Sequence, residues 1–405
     1  MNTDLGRLLA QAEFQAVIDE VAARVRQDSA EAFADPLVAD WLGRRYRNIF
    51  LTECEGDPRA LRTARVGSPM RLIDGRSRRQ QLAKKFFRRL PAEEAVVEMP
   101  QAREVHNPDV ALVFAPDLMT GLLPVLAFQS VWPQIQARFG IRVIAADSHP
   151  VRSSAANSVD LAAAIEQGYG LGPDGLLPSR KRPAVPPEDV VLIGYSKGAV
   201  DVLALLRERP DLAPRIRCVV GWGGLFVGSY IADDIYSSFE VDDQVPMARQ
   251  VGKRLRRLVP VVQVDRVGRR LHEYDIAGAL ADETTAVRKQ FWSEHIDEIA
   301  GLGIPFLTVS GATTVTDVPY FQALGYVQLN SYDPDNDMQI TQSQARVPLR
   351  SAAHLAMFRA HHWDLAYDPF PWWQTLGSLN VDHKFARLPA MAALVLLLAE
   401  IGLLD

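Results

Sequence analysis

Three residues of this chain have the types that nucleophilic acyl transfer requires: Ser196, Asp337 and His362. A serine hydroxyl at its ordinary pKa is a poor nucleophile, so a neutral imidazole must take its proton. A carboxylate must then fix the tautomer of the imidazole and stabilise the imidazolium that forms. The chain between Asp337 and His362 is long enough for a loop, a short segment and a final strand. Spacing therefore permits the two to pair.

The serine lies in the stretch Val190–Leu206, which reads VVLIGYSKGAVDVLALL. An apolar run rich in β-branched residues, a short turn and an apolar helical pattern predict a strand, a tight turn and a helix. Such a turn exposes the hydroxyl of Ser196 and points helical N–H groups at a developing oxyanion. Gly194 and Gly198 supply the small residues that are needed where strand and helix nearly collide. The alternative interpretation is that Ser196 merely caps the helix.

These residues resemble the α/β-hydrolase superfamily, and the resemblance covers roughly the region from Asp109 to the C-terminus. The segment Asp335–Ile340 resembles the Asn-Asp-Gly-x-Val element that carries the acid in several lipases and esterases, with Met338 where glycine is usual. Residues 361–365, HHWDL, resemble the His-Trp element in which the histidine is the general base. The resemblance implies a serine hydrolase that cleaves a small-molecule carboxylic ester or thioester through an acyl-enzyme, without metal or cofactor.

Alternatives exist for the acid and for the base. Asp317 lies closer behind the preceding predicted strand, where many members of the superfamily place the acid. His361 is the alternative to His362, because a shift of one residue at a strand end reverses which side chain reaches the site. Further candidates for the acid are Asp333, Asp335, Asp233 and Asp234.

The resemblance also implies two backbone donors to the oxyanion. One is the residue after the nucleophile, Lys197, and the other is Leu118, or Asp117 beside it, in the loop Pro116–Gly121. This loop lacks the His-Gly start that is common in the superfamily. Four aromatic residues are candidates for contacts with substrate, and for each of them a place in the core is the alternative: Tyr195, Trp222, Phe226 and Tyr230.

The elements that must position these residues alternate between strand and helix from Asp109 onward. This alternation predicts the α/β class, with a mainly parallel sheet covered by helices. Strands are predicted at 110–115, 141–146, 190–195, 217–222, 304–309 and 354–360, and helices at 122–139, 158–167 and after the serine.

The chain divides into two predicted regions. Residues 1–105 form a helical N-terminal extension, with helices over 5–26 and from Pro36 to Ile49. Residues 106–405 form the hydrolase domain. An interruption of the strand alternation at about 231–300 resembles the cap of the superfamily, which covers the site and sets specificity.

Composition limits the partners. Hydrophobic residues make up 48% of the chain and charged residues 23%, as in soluble globular proteins, and the net charge of -5 gives no reason to expect nucleic acid. Basic runs at 76–89 and 249–257 are interpreted first as solvated faces, although the second weakly suggests an anionic part of the substrate.

Two features predict a cytoplasmic protein. Cys54 and Cys218 imply no disulfide framework, and the N-terminus lacks the apolar core of a secretory signal. The apolar stretch Met391–Leu404 is too short to predict a membrane span, so we expect a final helix packed on the sheet.

Two other functions share the same residues. An acyltransferase or a biosynthetic thioesterase uses the same triad with a different acceptor or leaving group. A non-catalytic binding module is the other alternative, since a fold does not imply a function.

Overall fold

The computed structural model describes residues 3–66, 75–118, 120–171, 184–237, 271–374 and 384–405. Within these ranges one sheet has the strand order β2-β1-β3-β4-β5-β6, and each neighbouring pair is parallel. The strands are β1 Ala111–Ala115, β2 Val143–Ala145, β3 Val190–Tyr195, β4 Ile216–Trp222, β5 Phe306–Ala312 and β6 Ala352–Arg359. Because all run in one direction, the residues that follow each strand meet at one edge of the sheet.

Helices occupy much of the remaining described chain. The first seven precede the sheet: α1 Thr3–Ala10, α2 Phe14–Gln27, α3 Ser29–Ala34, α4 Pro36–Gly56, α5 Pro58–Thr63, α6 Arg78–Phe86 and α7 Ala92–Ala95. The next five follow or join strands: α8 Trp132–Phe139, α9 Ser154–Gln167, α10 Lys197–Glu208, α11 Tyr230–Ser237 and α12 Ile276–Ala281. The last three are α13 Thr285–Gly301, α14 Ala323–Asn330 and α15 Arg387–Glu400.

Local sequence explains where α4 begins. The side chain of Asp35 accepts a hydrogen bond from the backbone N–H of Leu37, and Pro36 occupies the first turn, where its missing N–H has no cost. The predicted helix over 5–26 is instead two helices. They separate near Ala12, whose φ of 55° is left-handed and cannot continue a helix.

The helix predicted over 122–139 is also wrong in its first half, because only α8 is helical there. Phe128 has a φ of 57° and donates its backbone N–H to the carbonyl of Ala366, at 2.7 Å. Ala127 forms an isolated antiparallel bridge with Tyr367. Tertiary hydrogen bonds to the segment after β6 therefore replace the helical ones. Helix α8 begins only at Trp132, and Pro133 lies in its first turn, where its missing N–H has no cost.

Both faces of the sheet are buried. Successive residues of β3 alternate between two apolar clusters, with Val191 and Ile193 on one side and Val190 and Leu192 on the other. Helix α4 packs against β6 and α15 on the first side. The helices before residue 105 thus share a core with the sheet, while the domain boundary at that position stays a prediction.

A buried ion pair joins α4 to α15. Arg45 of α4 makes two hydrogen bonds to the carboxylate of Glu400 at the end of α15, at 2.7 and 2.5 Å. Helix α15 is buried along most of its length in the core that it shares with the sheet, as expected for the final helix. No helix in the described ranges combines the length and the apolar character that crossing a bilayer requires.

Candidate active site

Ser196 stands at a sharp turn between β3 and α10. Its φ of 53° and ψ of −123° form a conformation that costs a non-glycine residue about 1–3 kcal/mol. A Cβ on Gly194 would lie 2.6 Å from Cα of Ala199. A Cβ on Gly198 would lie 2.0 Å from the carbonyl oxygen of Ala115. The predicted strand, turn and helix are therefore present, and both glycines are needed for the stated reason.

Asp337 lies in the loop between α14 and β6 and is fully buried. Its Oδ1 accepts hydrogen bonds from the backbone N–H groups of Gln339 and Ile340, at 3.0 and 2.9 Å. Its Oδ2 lies 2.7 Å from Nδ1 of His362. Met338 has a φ of 77°, in the region that glycine adopts most readily. This backbone conformation explains why glycine is usual at that position of the element.

His362 follows β6, and its side chain is only 2% exposed. Because a carboxylate can only accept a hydrogen bond, Nδ1 carries the proton toward Asp337 and Nε2 is left as an acceptor. The hydroxyl of Tyr195 donates to the backbone carbonyl of His362 at 2.9 Å, and the two rings stack with centroids 5.2 Å apart. In the part of the chain that the structure describes, the buried Nε2 has no hydrogen-bond partner.

Both Ser196 and His362 contact the C-terminal end of β4. The N–H of Ser196 donates to the carbonyl of Trp222 at 3.4 Å. The next residue, Gly223, lies against His362, since a Cβ there would be 3.5 Å from Cε1 of the imidazole. Because Nε2 is unpartnered, the serine hydroxyl does not bond to it in this structure. Catalytic hydrogen bonds are often long before substrate binds.

The alternative acid and base have other partners. Nε2 of His361 lies 3.5 Å from Oδ2 of Asp364, so this histidine forms a separate pair. Asp317 is exposed and is hydrogen-bonded to a threonine three residues earlier. The geometry thus pairs Asp337 with His362. The other acids contact different residues: Asp233 with Thr285, Asp234 with Gln328, Asp333 with the backbone of Asp335, and Asp335 with Arg88 and Arg89.

The two predicted oxyanion donors lie on segments that touch. Lys197 is the first residue of α10, where N–H groups have no partner within the helix. The loop that carries Leu118 packs on the elbow, because a Cβ on Gly198 would also lie 2.7 Å from the carbonyl oxygen of Pro116. The helix dipole adds a positive potential at this point. The roles of both N–H groups stay predictions.

Asp117, in the same loop, brings a second buried carboxyl close to the histidine. Its Oδ2 accepts a hydrogen bond from the hydroxyl of Tyr367 at 2.5 Å, and within the described ranges its Oδ1 has no partner. Burial raises the pKa of Asp117 to about 7, although the hydrogen bond from Tyr367 and the electrostatic interaction with His362 oppose the rise. Only the backbone of this residue was predicted to take part in the site, because nothing in the sequence shows the burial of its side chain.

Three of the four aromatic residues predicted to contact substrate lie in the core instead. Tyr195, Trp222 and Phe226 are fully buried. The indole N–H of Trp222 donates to the carbonyl of Leu365 at 3.1 Å. The ring of Phe226 fills the space beside Gly221, where a Cβ would lie 2.2 Å from it. None of the three has exposed surface in this structure, Tyr195 contacts the histidine, and their contact with substrate stays a prediction.

Tyr230, the fourth aromatic residue, is half-buried at the start of α11. Its ring stacks on that of Tyr332 with centroids 3.9 Å apart, and its contact with substrate stays a prediction. The predicted cap is described only in part, as α11, α12 and α13. Its basic run at 249–257 lies outside the described residues.

A network of buried charges beneath the elbow was not predicted. Nζ of Lys197 lies 2.5 Å from Oδ1 of Asp201 and 3.3 Å from Oγ of Ser154. The other oxygen of Asp201 accepts a hydrogen bond from the amide of Asn157 at 2.9 Å. Burial raises the pKa of Glu283, near Lys197, to about 8. The sequence feature that could have predicted this ion pair is the spacing of four positions between Lys197 and Asp201, in a helix that is otherwise apolar on that side.

Comparison with known proteins identifies the fold. No family model matches the chain, and no curated protein matches it. A carboxyl esterase from a metagenome is similar in structure, with a TM-score of 0.62 and 20% identity over 88% of this chain and 92% of that one. A mature lipase of Bacillus licheniformis gives a TM-score of 0.43 with 18% identity, over 65% of this chain and 89% of that one. The structural similarity to the carboxyl esterase, together with the parallel sheet, confirms the predicted α/β-hydrolase fold.

Proposed function

We propose that this chain hydrolyses carboxylic esters or thioesters, with Ser196 as nucleophile, His362 as general base and Asp337 as the acid that orients it. One observation carries the proposal. The 2.7 Å hydrogen bond between His362 and Asp337 leaves a buried, unpaired Nε2 beside the strained turn that holds the serine. An unpaired buried acceptor costs about 1–3 kcal/mol in stability. It is therefore best explained by a proton that Nε2 receives during the reaction.

The first half of the reaction forms an acyl-enzyme. Nε2 of His362 takes the proton of the serine hydroxyl as Oγ attacks the carbonyl carbon, and the carbonyl oxygen becomes an oxyanion. The backbone N–H groups of Lys197 and Leu118 donate hydrogen bonds to that oxyanion. The imidazolium then gives its proton to the departing alcohol or thiol as the tetrahedral intermediate collapses. Asp337 stabilises the imidazolium throughout this half.

Water completes the second half by the same route. His362 takes a proton from water, the hydroxide adds to the acyl carbon, and the imidazolium returns the proton to Oγ as the carboxylic acid leaves. Asp337 keeps its orientation because two backbone N–H groups hold Oδ1 while Oδ2 bonds the imidazole. Its full burial strengthens the interaction with the imidazolium, since the local dielectric is low. These steps need no cofactor.

Two hydrogen bonds attach the described part of the predicted cap to the chain after β2, at the edge of the sheet that carries the proposed site. The N–H of Asp275 donates to the carbonyl of Val151 at 2.9 Å. The carboxylate of Asp282 accepts from the N–H of Ser154 at 2.5 Å. Val151 lies between β2 and α9, and Ser154 is the first residue of α9, so both partners are at the end where the strands finish. We infer that the described helices of this segment, α11 to α13, help to shield the site from water, which strengthens electrostatic catalysis. The similar metagenomic protein is named a carboxyl esterase, which agrees with an ester substrate.

The test compares paired variants in the hydrolysis of p-nitrophenyl acetate. We expect Ser196→Ala and His362→Gln to lower kcat by at least about 10⁴-fold, and Asp337→Asn by about 10³- to 10⁴-fold. The matched controls are His361→Gln and Asp317→Asn, which we expect to stay within about threefold of wild type in a folded protein, because neither joins the proposed triad. Full activity of Ser196→Ala, or an equal loss in the two histidine variants, would overturn the proposal.

A further inference from the structure

A cavity of about 490 Å³ has four cationic side chains among the walls that the structure describes. Arg62 lies near the end of α5 and Arg65 just after it, Lys85 lies in α6, and Lys384 lies shortly before α15. The remaining described wall residue is Thr63. A sphere of this volume is about 10 Å across, so cations from three separate parts of the chain stand within roughly one Debye length of one another.

Three of these cations have no counter-ion. Within the described ranges, the side chains of Arg62, Arg65 and Lys85 form no ion pair and no hydrogen bond. By contrast, Arg79 of α6 pairs with Glu55 at 2.8 Å. Like charges that converge without a counter-ion repel one another, so the arrangement favours an anion between them.

Lys85 departs from the solvated face that was first expected of the basic run at 76–89. It is half-buried. Burial lowers the pKa of its ammonium group, the carboxylates of Asp364 and Asp317 oppose this change, and the charges of Lys384 and Arg359 add to it. A bound anion would favour the charged form of Lys85 and offset the repulsion from its cationic neighbours.

The charge of the cavity selects among anions. A carboxylate carries one negative charge, whereas a phosphate monoester carries about 1.5 to 2 near pH 7 and has three acceptor oxygens. The planar guanidinium groups of Arg62 and Arg65 match phosphate oxygens with two donors each. The hydroxyl of Thr63 is a further donor. Several cations and a hydroxyl around one cavity therefore suit a phosphate monoester better than a single carboxylate.

A second cavity adjoins the first and has room for the rest of such a molecule. Its volume is about 340 Å³, and it shares Arg62, Thr63 and Lys384 with the first cavity. This volume is within the range of about 300–1,000 Å³ that is usual for small-molecule sites. Its other described walls are both apolar and polar, and they include Val131, Leu388, Ser130 and Gln134. Mixed walls of this kind suit an uncharged organic group that carries hydroxyls.

We propose that the two cavities together bind a phosphomonoester, with the phosphate among Arg62, Arg65 and Lys85 and the organic part in the adjoining cavity. The described walls of both cavities include no residue of the proposed triad, so this site is separate from the proposed active site. The phosphomonoester group occurs both in soluble phosphorylated molecules and in the headgroup of phosphatidic acid, and the experiment distinguishes these two sources.

The experiment measures binding of inorganic phosphate, ribose 5-phosphate and ribose to the full chain by isothermal titration calorimetry at low ionic strength. We expect ribose 5-phosphate to bind with a dissociation constant of about 1 mM or below, inorganic phosphate to bind at least about fivefold more weakly, and ribose not to bind. Leu388→Phe reduces the second cavity. It should remove the advantage of ribose 5-phosphate and leave the affinity for inorganic phosphate unchanged.

Single variants test the cationic walls. Arg62→Gln and Lys85→Gln should each weaken the binding of ribose 5-phosphate by about 10- to 100-fold. The matched control is Lys84→Gln, which removes the same charge from an exposed neighbour in α6 that does not line the cavity. Its affinity should stay within about twofold of wild type. Equal losses in Lys84→Gln and Lys85→Gln would show that net charge alone drives binding, and would overturn the inference.

Vesicles identify the source of the phosphate. Sedimentation with phosphatidylcholine vesicles that contain phosphatidic acid, compared with phosphatidylcholine alone, shows whether the headgroup reaches the site. Binding that requires Lys85 in either the soluble or the vesicle arm supports the inference, and binding in neither arm overturns it. Ser196→Ala should bind as wild type does, so the result is independent of the proposed function.

Discussion

Replacing Gly198 by alanine should damage both the stability and the activity of the protein. A Cβ at this position would lie 2.0 Å from the carbonyl oxygen of Ala115 and 2.7 Å from that of Pro116. Both are backbone atoms, so the strand and the loop after it must shift by about 1 Å to restore ordinary contact. Alanine gains about 1 kcal/mol over glycine from helix propensity, and overpacking of this kind costs about 1–3 kcal/mol or more. Because the close contacts are with backbone atoms, we expect a cost at the upper end of that range and a net loss of about 2 kcal/mol in the free energy of unfolding.

The loss of activity should exceed the loss of stability. The displaced loop carries Leu118, and a misplacement of about 1 Å at a catalytic group lowers the rate by about 10²-fold. Gly301 is the matched control, because it ends α13 and a Cβ there meets no atom within 4 Å. We expect Gly301→Ala to raise the free energy of unfolding by about 0.5–1 kcal/mol with unchanged activity.

The assay combines urea unfolding with kcat for p-nitrophenyl acetate on both variants. If Gly198→Ala matches wild type in both measurements, the close packing of strand, helix and loop is wrong. If both variants lose the same stability, the loss does not arise from the contact with Ala115.

Three further predictions concern the surroundings of the site. Lys197→Met should lower the free energy of unfolding by about 3–5 kcal/mol, because it leaves Asp201 buried and unpaired, and the double variant with Asp201→Leu should lose less in urea unfolding. The pKa of Glu283 is raised to about 8, so wild type loses stability as pH rises from the unfolded value of 4.5 toward 8. Glu283→Gln should therefore gain up to about 5 kcal/mol over wild type at pH 9 and nothing at pH 4, and a gain independent of pH would refute this. Tyr195→Phe should cost about 1 kcal/mol in urea unfolding through the lost bond to His362, with a reduced kcat and an unchanged KM.

The sequence predicted best what depends on neighbours along the chain. The turn at Ser196 needs only a β-branched run, two glycines and a helical pattern, and all of these are local. The six strands of the described sheet agree with the predicted strands to within a few residues for the same reason. The order of serine, aspartate and histidine was also visible. Which aspartate meets His362 depends on how the loop after α14 folds, and the residue types alone did not decide between Asp337 and Asp317.

What the sequence did not predict depends on tertiary contacts. The segment before α8 has a helical pattern, but hydrogen bonds to the chain after β6 override it at Phe128. The aromatic residues near the elbow lie at or just after strand ends, as pocket residues often do. Glycines at 221 and 224, however, leave room for the ring of Phe226 to pack against the sheet. The buried pair of Lys197 and Asp201 appears polar in sequence and becomes buried only when α9 and α10 pack. Burial of a polar side chain cannot be inferred from its type.

The central claim is that Ser196 is an activated nucleophile. The direct test treats the purified protein with a fluorophosphonate and locates the adduct by peptide mass, with Ser196→Ala and His362→Ala in parallel. We expect an adduct on Ser196 in wild type, no adduct in the serine variant, and a rate at least about 10³-fold slower in the histidine variant. Absence of the adduct in the folded wild-type protein, or labelling that does not depend on His362, would contradict the account.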